Sequence, residues 1–457
     1  MILLQIFINM SKDIRLRKGA DLNLVGRAEK KINEKSKSDL FAIQPDDFFA
    51  LTPKLIVKEG EEISKGSPIF YDKKNPSINF VSPVSGIIRS VNRGAKRKIE
   101  SIIIEDHGER EIVHDLSKDL NRENVVELLT NSGCWPFIRQ RPYNIIADPK
   151  DVPKSILISC FTSAPLDVDF DFILKNNKND FQSGINIIEK LTDSKVILTV
   201  ANNSDSFFKN IKNVEIIQVS GPHPSANPSV QIQKISPINM GEKVWVIRPE
   251  DVVNIGLFFK TGVYQAQRTI ALAGSSLKKP QYFKTKIGAQ IKPLIKIAGL
   301  KSKSQIRCIN GDVLSGSITT NDGFIGFYNN LLSIIPEGNK YRMFGWLPFV
   351  DNSILSLSRT SLSWLFSKKG FEIDTNLNGE ERAIVVTGEM EKVFPMDIYP
   401  MQLLKVCMTG DIEKMEAFGI YEVVPEDFGL IDYANTSKIE AQEIISDAIE
   451  LMIKEAG

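Results

Sequence analysis

The sequence has little of the chemistry that marks metal, disulfide or nucleophilic sites. Its 457 residues include four cysteines and three histidines: Cys134, Cys160, Cys308, Cys407, His107, His114 and His223. The cysteines lie at least 26 positions apart, so no pair has the spacing of a zinc, iron–sulfur or thioredoxin motif, and a secreted disulfide framework is excluded. A reducing compartment fits best. The histidines are too few and too scattered to predict a metal site or a catalytic triad.

Long apolar runs are also missing. The longest stretch without Asp, Glu, Lys or Arg, residues 216–233, contains three prolines, whereas a membrane-spanning helix needs about 20 mostly apolar residues. Residues 1–11, MILLQIFINMS, are apolar but too short to span, and they lack the basic start of a signal peptide. We interpret them as an N-terminal extension and expect a soluble protein, for which only a peripheral contact with a membrane stays open.

An excess of either charge is absent as well. The chain has 57 basic and 56 acidic residues, a formal net charge of +1, which argues against a dedicated nucleic-acid binder. Hydrophobic residues make up 42% and charged residues 25%, the profile of an ordinary globular protein. A chain of this length predicts about three or four domains.

Residues 51–105 predict a string of short strands. The β-branched runs Leu55–Val57, Ile69–Tyr71, Ile78–Val81, Gly86–Val91 and Ile99–Ile104 are separated by turn pairs that contain glycine. The spacing resembles the barrel-sandwich fold of lipoyl and biotinyl carriers, and Lys73 and Lys74 occupy the hairpin position at which a carrier is modified. The surrounding residues depart from the carrier signature, so a solvated turn is favoured and a modified lysine is the alternative.

A basic cluster follows this hairpin, formed by Arg89, Arg93, Lys96, Arg97 and Lys98. One interpretation is a docking surface for anionic lipid headgroups or an acidic partner protein of the same complex. The other is a solvated face without a partner.

From Ser155 the pattern changes to alternating strands and helices. The runs at Ser155–Cys160, Lys195–Val200 and Val214–Val219 read as buried strands, with helices predicted over Asp180–Leu191 and Ser204–Ile211. This series predicts a doubly wound, Rossmann-like layer. The first strand runs into Phe-Thr-Ser-Ala-Pro-Leu without a glycine, so the phosphate-binding loop of a nucleotide site is missing.

The segment from Cys134 to Tyr143 concentrates three aromatics and two arginines. Aromatic faces and guanidinium donors suit a planar, partly polar ligand such as a quinone headgroup. The candidate quinone-binding residues are therefore Trp135, Phe137, Arg139, Arg141 and Tyr143. The alternative is a domain junction in which the aromatics pack and the arginines meet carboxylates. A rigid proline-rich loop, Gly221–Pro228, follows a predicted strand end, where open α/β sheets place ligand loops.

The second half of the chain predicts a small β-grasp-like unit over 305–335, aromatics mixed with serine-rich turns over 341–366, and helices from Pro400 onward. The predicted fold class is multidomain α+β. We expect an extension over 1–11, a barrel-sandwich hybrid domain over 12–115, a degenerate Rossmann-like domain over 116–250, a β-grasp-like (SLBB-type) unit over 251–340, and a mixed to helical domain over 341–457.

Eight short peptides in a fixed order carry a more specific resemblance. They are Lys18-Gly-Ala-Asp-Leu-Asn-Leu, Asp72-Lys-Lys-Asn-Pro, Arg93-Gly-Ala-Lys-Arg, Arg139-Gln-Arg-Pro-Tyr, Ser220-Gly-Pro-His-Pro, Leu314-Ser-Gly, Phe344-Gly-Trp and Asn378-Gly-Glu-Glu-Arg. From about residue 12 to the C-terminus, the sequence resembles the A-subunit family of the bacterial sodium-translocating NADH:quinone oxidoreductases.

The resemblance implies a six-subunit pump that passes electrons from NADH to ubiquinone and exports Na⁺. It implies a peripheral subunit on the cytoplasmic face of the inner membrane, at the quinone-reducing end, with an adjacent membrane subunit beside it and four other partners. NADH, flavin and iron–sulfur binding would belong to other subunits, and no residue of this chain has a case as a Na⁺ ligand. The alternative within this family is a structural scaffold, with the quinone site on the membrane subunit.

Overall fold

The computed structural model describes residues 13–34, 37–202, 204–302, 305–338, 354–358, 361–366 and 369–455. The predicted extension over 1–11 lies outside the described residues, as does most of the aromatic and serine-rich segment before residue 361.

The described residues form twenty strands and eleven α-helices. The strands are β1 (Ile14–Arg15), β2 (Glu29–Asn33), β3 (Leu40–Ile43), β4 (Pro53–Leu55), β5 (Glu62–Ile63), β6 (Pro68–Asp72), β7 (Asn79–Val81), β8 (Gly86–Arg93), β9 (Ile99–Asp106), β10 (Ile138–Arg141), β11 (Ile145–Ile146), β12 (Ser155–Ser159), β13 (Val196–Ala201), β14 (Glu215–Ser220), β15 (Val244–Ile247), β16 (Gln267–Ala273), β17 (Gln281–Lys286), β18 (Ile306–Asn310), β19 (Ser317–Thr319) and β20 (Leu331–Pro336). The helices are α1 (Arg122–Ser132), α2 (Phe170–Leu174), α3 (Lys178–Ile188), α4 (Pro228–Ile235), α5 (Pro249–Thr261), α6 (Ile291–Ala298), α7 (Glu389–Val393), α8 (Pro400–Thr409), α9 (Ile412–Ala417), α10 (Gly429–Ala434) and α11 (Ala441–Glu455).

Two small antiparallel sheets form the N-terminal barrel sandwich. One has the strand order β3-β9-β8-β5 and the other β4-β6-β7. The turns before β5 and β6 place Gly60 at φ +81° and Gly66 at φ +88°, a backbone conformation that glycine adopts without steric cost. The fold class predicted from this pattern is confirmed, and the strand predicted at Leu55–Val57 is observed at Pro53–Leu55.

A seven-stranded sheet follows, with the order β1-β14-β13-β12-β15-β10-β11. Strands β14, β13, β12 and β15 run parallel, and β10 and β11 continue the sheet antiparallel. Apart from the two-residue strand β1, which pairs parallel with β14, the first parallel strand in the chain is β12. It lies between β13 and β15, so the order of the strands reverses at the β12/β15 pair. Open sheets of this kind bind ligands beyond the carboxyl ends of the strands at that reversal.

Close packing of helix α3 against helix α5 depends on two glycines. A Cβ added to Gly184 in α3 would lie 2.1 Å from the Val252 carbonyl oxygen, and one added to Gly256 in α5 would lie 2.0 Å from the Asp180 carbonyl oxygen. Only glycine allows the two helix backbones to approach this closely.

The helix predicted over Ser204–Ile211 is wrong. Only a 3-10 turn, Phe207–Asn210, forms there, and the chain is extended again at Ile211.

A six-stranded sheet, ordered β19-β18-β20-β16-β17-β2, forms the β-grasp-like unit. Strands β1 and β2 come from the N-terminal region, but they pair with β14 of the seven-stranded sheet and β17 of the six-stranded sheet. These long-range pairings tie the N-terminal chain to both later units.

The C-terminal region is helical. The last helix, α11, buries Ile445, Ile449 and Met452 along one face. It begins at Ala441, after Lys438 takes a left-handed φ of 54°. None of the helices in the described part of the chain has the length and apolarity needed to cross a bilayer.

Candidate functional site

A cleft of about 390 Å³ opens at the carboxyl ends of β12 and β15. The α/β sheet supplies one wall, and the six-stranded sheet supplies the opposite wall from the ends of β18 and β20. The barrel sandwich and the C-terminal helices each add acidic residues at the rim. The lining includes Asp46, Asp47, Arg139, Asn144, Ser159, Thr162, Ser163, Asp167, His223, Asn227, Arg248, Asn310, Asp312, Tyr328, Asn330 and Glu426. The site therefore lies where four parts of the molecule meet.

The predicted proline-rich loop after β14 forms one side of the cleft. Its His223 is buried, and Nδ1 of the imidazole lies 3.1 Å from the Ser163 hydroxyl. The Ala226 N–H donates to the same hydroxyl at 3.0 Å. Burial lowers the pKa of His223, so its imidazole is held neutral. These contacts fix the hydroxyl and the imidazole as a polar pair on the cleft wall.

Two arginines reach the cleft from the strands beside the reversal. The Arg139 guanidinium, on β10, stacks 4.7 Å from the centre of the Tyr328 ring. The Tyr328 hydroxyl donates to the Pro136 carbonyl oxygen at 2.7 Å, so the ring cannot turn away freely. Arg248 follows β15 and donates to the Tyr328 carbonyl oxygen. Both guanidinium groups keep further N–H donors for a ligand oxygen.

Carboxylates outnumber these arginines in the cleft. Burial raises the pKa of Asp47 to about 7, although the Phe327 N–H donates to its carboxylate at 2.8 Å. Burial likewise raises the pKa of Asp167 to about 6. Asp312 accepts the N–H groups of Leu314 at 2.8 Å and Ser315 at 3.1 Å. The cleft is consequently polar, and two of its acids hold protons close to neutral pH.

A buried charge cluster lies behind the cleft floor, and sequence reasoning missed it. Arg268 on β16 is fully buried, with its guanidinium 2.9 Å from the Asp251 carboxylate and 3.6 Å from that of Glu250. The Thr269 N–H donates to Glu250 at 2.9 and 3.1 Å. Burial raises the pKa of both acids against the pull of Arg268. Only the Pro-Glu-Asp start of α5, which breaks an apolar pattern, offered a signal in the sequence.

The five residues predicted to bind quinone are placed in three different surroundings. Arg139 lines the cleft, whereas Trp135 and Phe137 lie in the core at 0% and 1% exposure. The Trp135 indole N–H donates to the Ala147 carbonyl oxygen at 2.7 Å, and its ring meets Trp245 edge-on at 5.5 Å. Phe137 stacks 5.5 Å from Phe327. The two aromatics support the strand that presents Arg139.

Arg141 and Tyr143 point toward the C-terminal helices. The Arg141 guanidinium donates to the Ser229 hydroxyl at 3.2 Å and to the Glu426 carboxylate at 3.0 Å. Burial lowers its pKa to about 10, which leaves it charged at neutral pH. The Tyr143 ring lies 5.9 Å from that of Tyr421. These two residues therefore join the α/β domain to the C-terminal region at the rim of the cleft.

The five residues predicted as a docking surface are all exposed on the β8–β9 hairpin. Lys98 pairs with Asp46 at 2.7 Å, and Arg89 lies 3.7 Å from Glu105. The Arg93 guanidinium donates to the Arg97 carbonyl oxygen at 3.1 Å. Lys73 and Lys74 are exposed on the β6–β7 turn, where Asp72 accepts the Lys74 N–H at 3.1 Å. Covalent modification of either lysine stays a prediction that an intact mass would test.

The remaining candidates for redox or metal chemistry are inert in their surroundings. All four thiols are buried, and burial raises the pKa of Cys134 and Cys407 to about 12 and that of Cys308 to about 11. Thiolates are the reactive form, so these cysteines are poor nucleophiles and ligands. Among the described residues, no group of His, Cys, Asp and Glu has an arrangement that could hold a metal ion.

The chain is similar to known proteins over most of its length. Three family models match: the NqrA N-terminal barrel-sandwich hybrid domain over residues 14–107, the NqrA second alpha/beta domain over 120–264, and the NQRA C-terminal domain over 269–321. The chain is 33% identical to the A subunit of Na(+)-translocating NADH-quinone reductase from Neisseria meningitidis serogroup B, covering 97% of this chain and 100% of the relative. It is 32% identical to the protein of that name from Photorhabdus laumondii, covering 95% and 98%. The corresponding protein of a Marinomonas species is 33% identical, covering 96% and 99%.

Proposed function

The chain belongs to the family of A subunits of the Na(+)-translocating NADH-quinone reductases, as its sequence suggested, and from that premise we propose its place and its site in the complex. It is the peripheral subunit on the cytoplasmic face of the inner membrane, at the quinone-reducing end, next to the membrane subunit. It contributes to quinone binding and to assembly with the other five subunits. NADH, flavin and iron–sulfur clusters are held by those subunits.

The cleft suits a quinone headgroup. Its volume of about 390 Å³ lies within the roughly 300–1,000 Å³ of small-molecule sites. The two carbonyl oxygens of a quinone need hydrogen-bond donors, and Arg139 and Arg248 both line the cleft. The observation that carries the proposal is the position of Arg139, which is fixed over Tyr328 at the reversal of the sheet.

The other four predicted residues support this site from behind. Trp135 and Phe137 pack the strand that presents Arg139, and Arg141 and Tyr143 hold the C-terminal helices against the rim. Their roles in quinone binding are thus indirect, through the position of Arg139 and the shape of the cleft.

A nucleotide fits this cleft less well than a neutral ring. The loop after β12 has no glycine to let backbone N–H groups approach a phosphate. The carboxylates of Asp312 and Glu426 face the same space and would repel a phosphate. These features support the assignment of flavin and NADH binding to other subunits.

One observation favours the second candidate, a scaffold that shapes a quinone site on the membrane subunit. Five carboxylates line the cleft, and an apolar isoprenoid tail would find few partners among them. In the scaffold, Asp47 and Glu426 serve as contacts between domains, through Phe327 and Arg141, and the headgroup lies elsewhere.

The assembled complex distinguishes the two candidates. Arg139→Gln removes a charged donor, which is worth about 1.5–3 kcal/mol for a hydrogen bond to a charged group. We expect the KM for a short-tailed ubiquinone to rise about tenfold or more, while NADH oxidation by an artificial acceptor is unchanged. Arg110→Gln is the matched control, because that side chain is 79% exposed and lies outside the cleft. An unchanged quinone KM in Arg139→Gln would favour the scaffold.

A further inference from the structure

A second feature of the chain lies in the C-terminal region. Three consecutive large apolar side chains are about half exposed: Trp364 at 50%, Leu365 at 55% and Phe366 at 48%. They occupy one 3-10 turn, Leu362–Phe366. We call these three residues the apolar tip. Contiguous exposed apolar patches mark interaction sites, whereas single exposed apolar residues are ordinary.

Buried serines hold this turn with its apolar side outward. Ser361 and Ser363 are 5% and 1% exposed, the reverse of the usual order of polar and apolar residues. The Ser361 hydroxyl donates to the Ile354 carbonyl oxygen at 2.6 Å, and the Ser356 N–H donates to the Ser363 hydroxyl at 2.9 Å. The orientation of the apolar tip is therefore fixed by hydrogen bonds on its inner side.

The chain that leaves the apolar tip is anchored to the body of the protein. The Lys369 N–H donates to the Phe366 carbonyl oxygen at 2.8 Å, and the Asn23 amide donates to the Lys369 carbonyl oxygen at 3.1 Å. Phe371 is buried and exchanges backbone hydrogen bonds with Asn23 and Val25. These contacts hold the apolar tip to the body of the protein, so that docking through the tip would hold the whole protein at the surface.

Basic residues lie close to the apolar tip in the sequence. Between the acids Asp351 and Glu372 the sequence has three basic residues, Arg359, Lys368 and Lys369, and no acid. Lys369 is exposed, with its ammonium 5.4 Å from the Phe371 ring. Tryptophan, leucine and phenylalanine beside lysine form the composition that enters the headgroup region of an anionic bilayer.

We propose that the apolar tip and Lys369 dock this protein on the surface of an anionic phospholipid bilayer. The indole of Trp364 and the side chains of Leu365 and Phe366 enter the headgroup region, and Lys369 stays among the lipid phosphates. A turn with three exposed apolar side chains, followed by the exposed Lys369, suits a lipid surface, which accepts apolar groups and a cation side by side. The proposal concerns a region distinct from the cleft and does not depend on where the quinone binds.

Vesicle co-sedimentation of the full chain tests this docking. We expect saturable binding to vesicles of mixed phosphatidylglycerol and phosphatidylcholine, with binding to pure phosphatidylcholine at least tenfold weaker. Trp364→Ala is expected to lower the partition coefficient at least tenfold. Tyr399→Ala is the matched control, because Tyr399 is an aromatic side chain 66% exposed elsewhere on the C-terminal region; it should bind as the wild type does.

A second variant keeps the test decisive. Leu365→Glu adds a negative charge at an exposed position and should abolish binding to the anionic vesicles while leaving thermal unfolding unchanged. No binding of the wild type to anionic vesicles, or equal binding of wild type, Trp364→Ala and Leu365→Glu, would overturn the proposal. A third outcome is that the wild type does not bind the vesicles, while the Leu365→Glu protein no longer assembles into the complex. The apolar tip would then contact another protein of the complex, and the lipid proposal would be wrong.

Discussion

Two short segments of this chain contain similar side chains and present them in opposite directions. Residues 134–143 bury Trp135 and Phe137 at 0% and 1% exposure. The apolar tip leaves Trp364 and Phe366 half exposed, at 50% and 48%. Basic residues accompany the aromatics in both cases, within residues 134–143 and at Lys369 after the apolar tip, and both segments contain a 3-10 turn. Composition alone therefore does not decide whether an aromatic segment forms core or surface.

The difference comes from what adjoins each turn. The turn at Trp135 leads directly into β10, which lies between β15 and β11. Trp245 and Phe327 pack against Trp135 and Phe137 of this turn. The turn at Trp364 instead has its serines hydrogen-bonded on the inner side. Strand pairing turns the aromatics inward in the first segment, and polar anchoring turns them outward in the second.

The largest expected effect is on the buried side of this comparison. Trp135→Ala removes a fully buried ring and leaves the Ala147 carbonyl oxygen without its donor. Replacing a buried aromatic by alanine costs about 3–5 kcal/mol. Urea unfolding followed by circular dichroism should show this loss. A decrease in the free energy of unfolding of less than about 1 kcal/mol would mean that Trp135 is not part of the core. The contrast with the exposed Trp364 would then be wrong.

The next effect concerns charge in the same segment. Arg141→Gln withdraws a buried guanidinium from Ser229 and Glu426 and weakens the attachment of the C-terminal region. Because Glu426 keeps some solvent contact, we expect a loss of about 2–3 kcal/mol. Faster cleavage between the α/β domain and the C-terminal helices in limited proteolysis would accompany it. Arg139→Gln, at the cleft surface, should unfold within about 1 kcal/mol of the wild type.

The next effect concerns the buried acid Asp47 and the dependence of stability on pH. The folded chain holds the proton of Asp47 up to a pKa of about 7, well above the value of about 4 in an unfolded chain. The contribution of the Asp47 carboxyl to the free energy of unfolding is therefore greatest at low pH, and it falls as the pH rises from about 4 to about 7.

Asp47→Asn keeps the acceptor for the Phe327 N–H and cannot ionise. We expect its stability relative to the wild type to be higher at pH 8 than at pH 5 by about 2 kcal/mol, because the wild type alone loses its proton over this range. Asp322→Asn is the control, because that side chain is 69% exposed. An Asp47→Asn variant less stable than the wild type at pH 8 would show that the ionised carboxylate is the favoured form.

The smallest expected effect is at the apolar tip. Trp364→Ala removes a side chain that is half in solvent, so the free energy of unfolding should change by less than about 0.5 kcal/mol. Thermal unfolding of the isolated chain measures it beside Trp135→Ala. A loss comparable to that of Trp135→Ala would place the apolar tip in the core and remove the contrast between the two segments.

The sequence predicted local structure well and long-range pairing poorly. The strands over 68–106 and the β-α-β series from Ser155 are observed within a few residues, because side-chain alternation and glycine turns are local signals. The pairing of β1 with β14 and of β2 with β17 depends on chain segments about 200 residues apart, and no local pattern encodes it.

The site was predicted only in part for the same reason. Arg139, which lines the cleft, was predicted as a candidate from its aromatic neighbours, and the loop with His223 from its place after a strand. Arg248, Tyr328 and Asp47 come from three different units, and each one alone reads as an ordinary surface or strand residue. The convergence of these residues is a tertiary property, so a single sequence carries no signal for it.

The most direct test of the proposed quinone site is calorimetric titration of a short-tailed ubiquinone into the purified full chain and its Arg139→Gln variant. Saturable binding in the micromolar range, about −8 kcal/mol, that weakens at least tenfold in Arg139→Gln is the result we predict. Heats of dilution only, or equal affinity of wild type and variant, would contradict a headgroup site at Arg139.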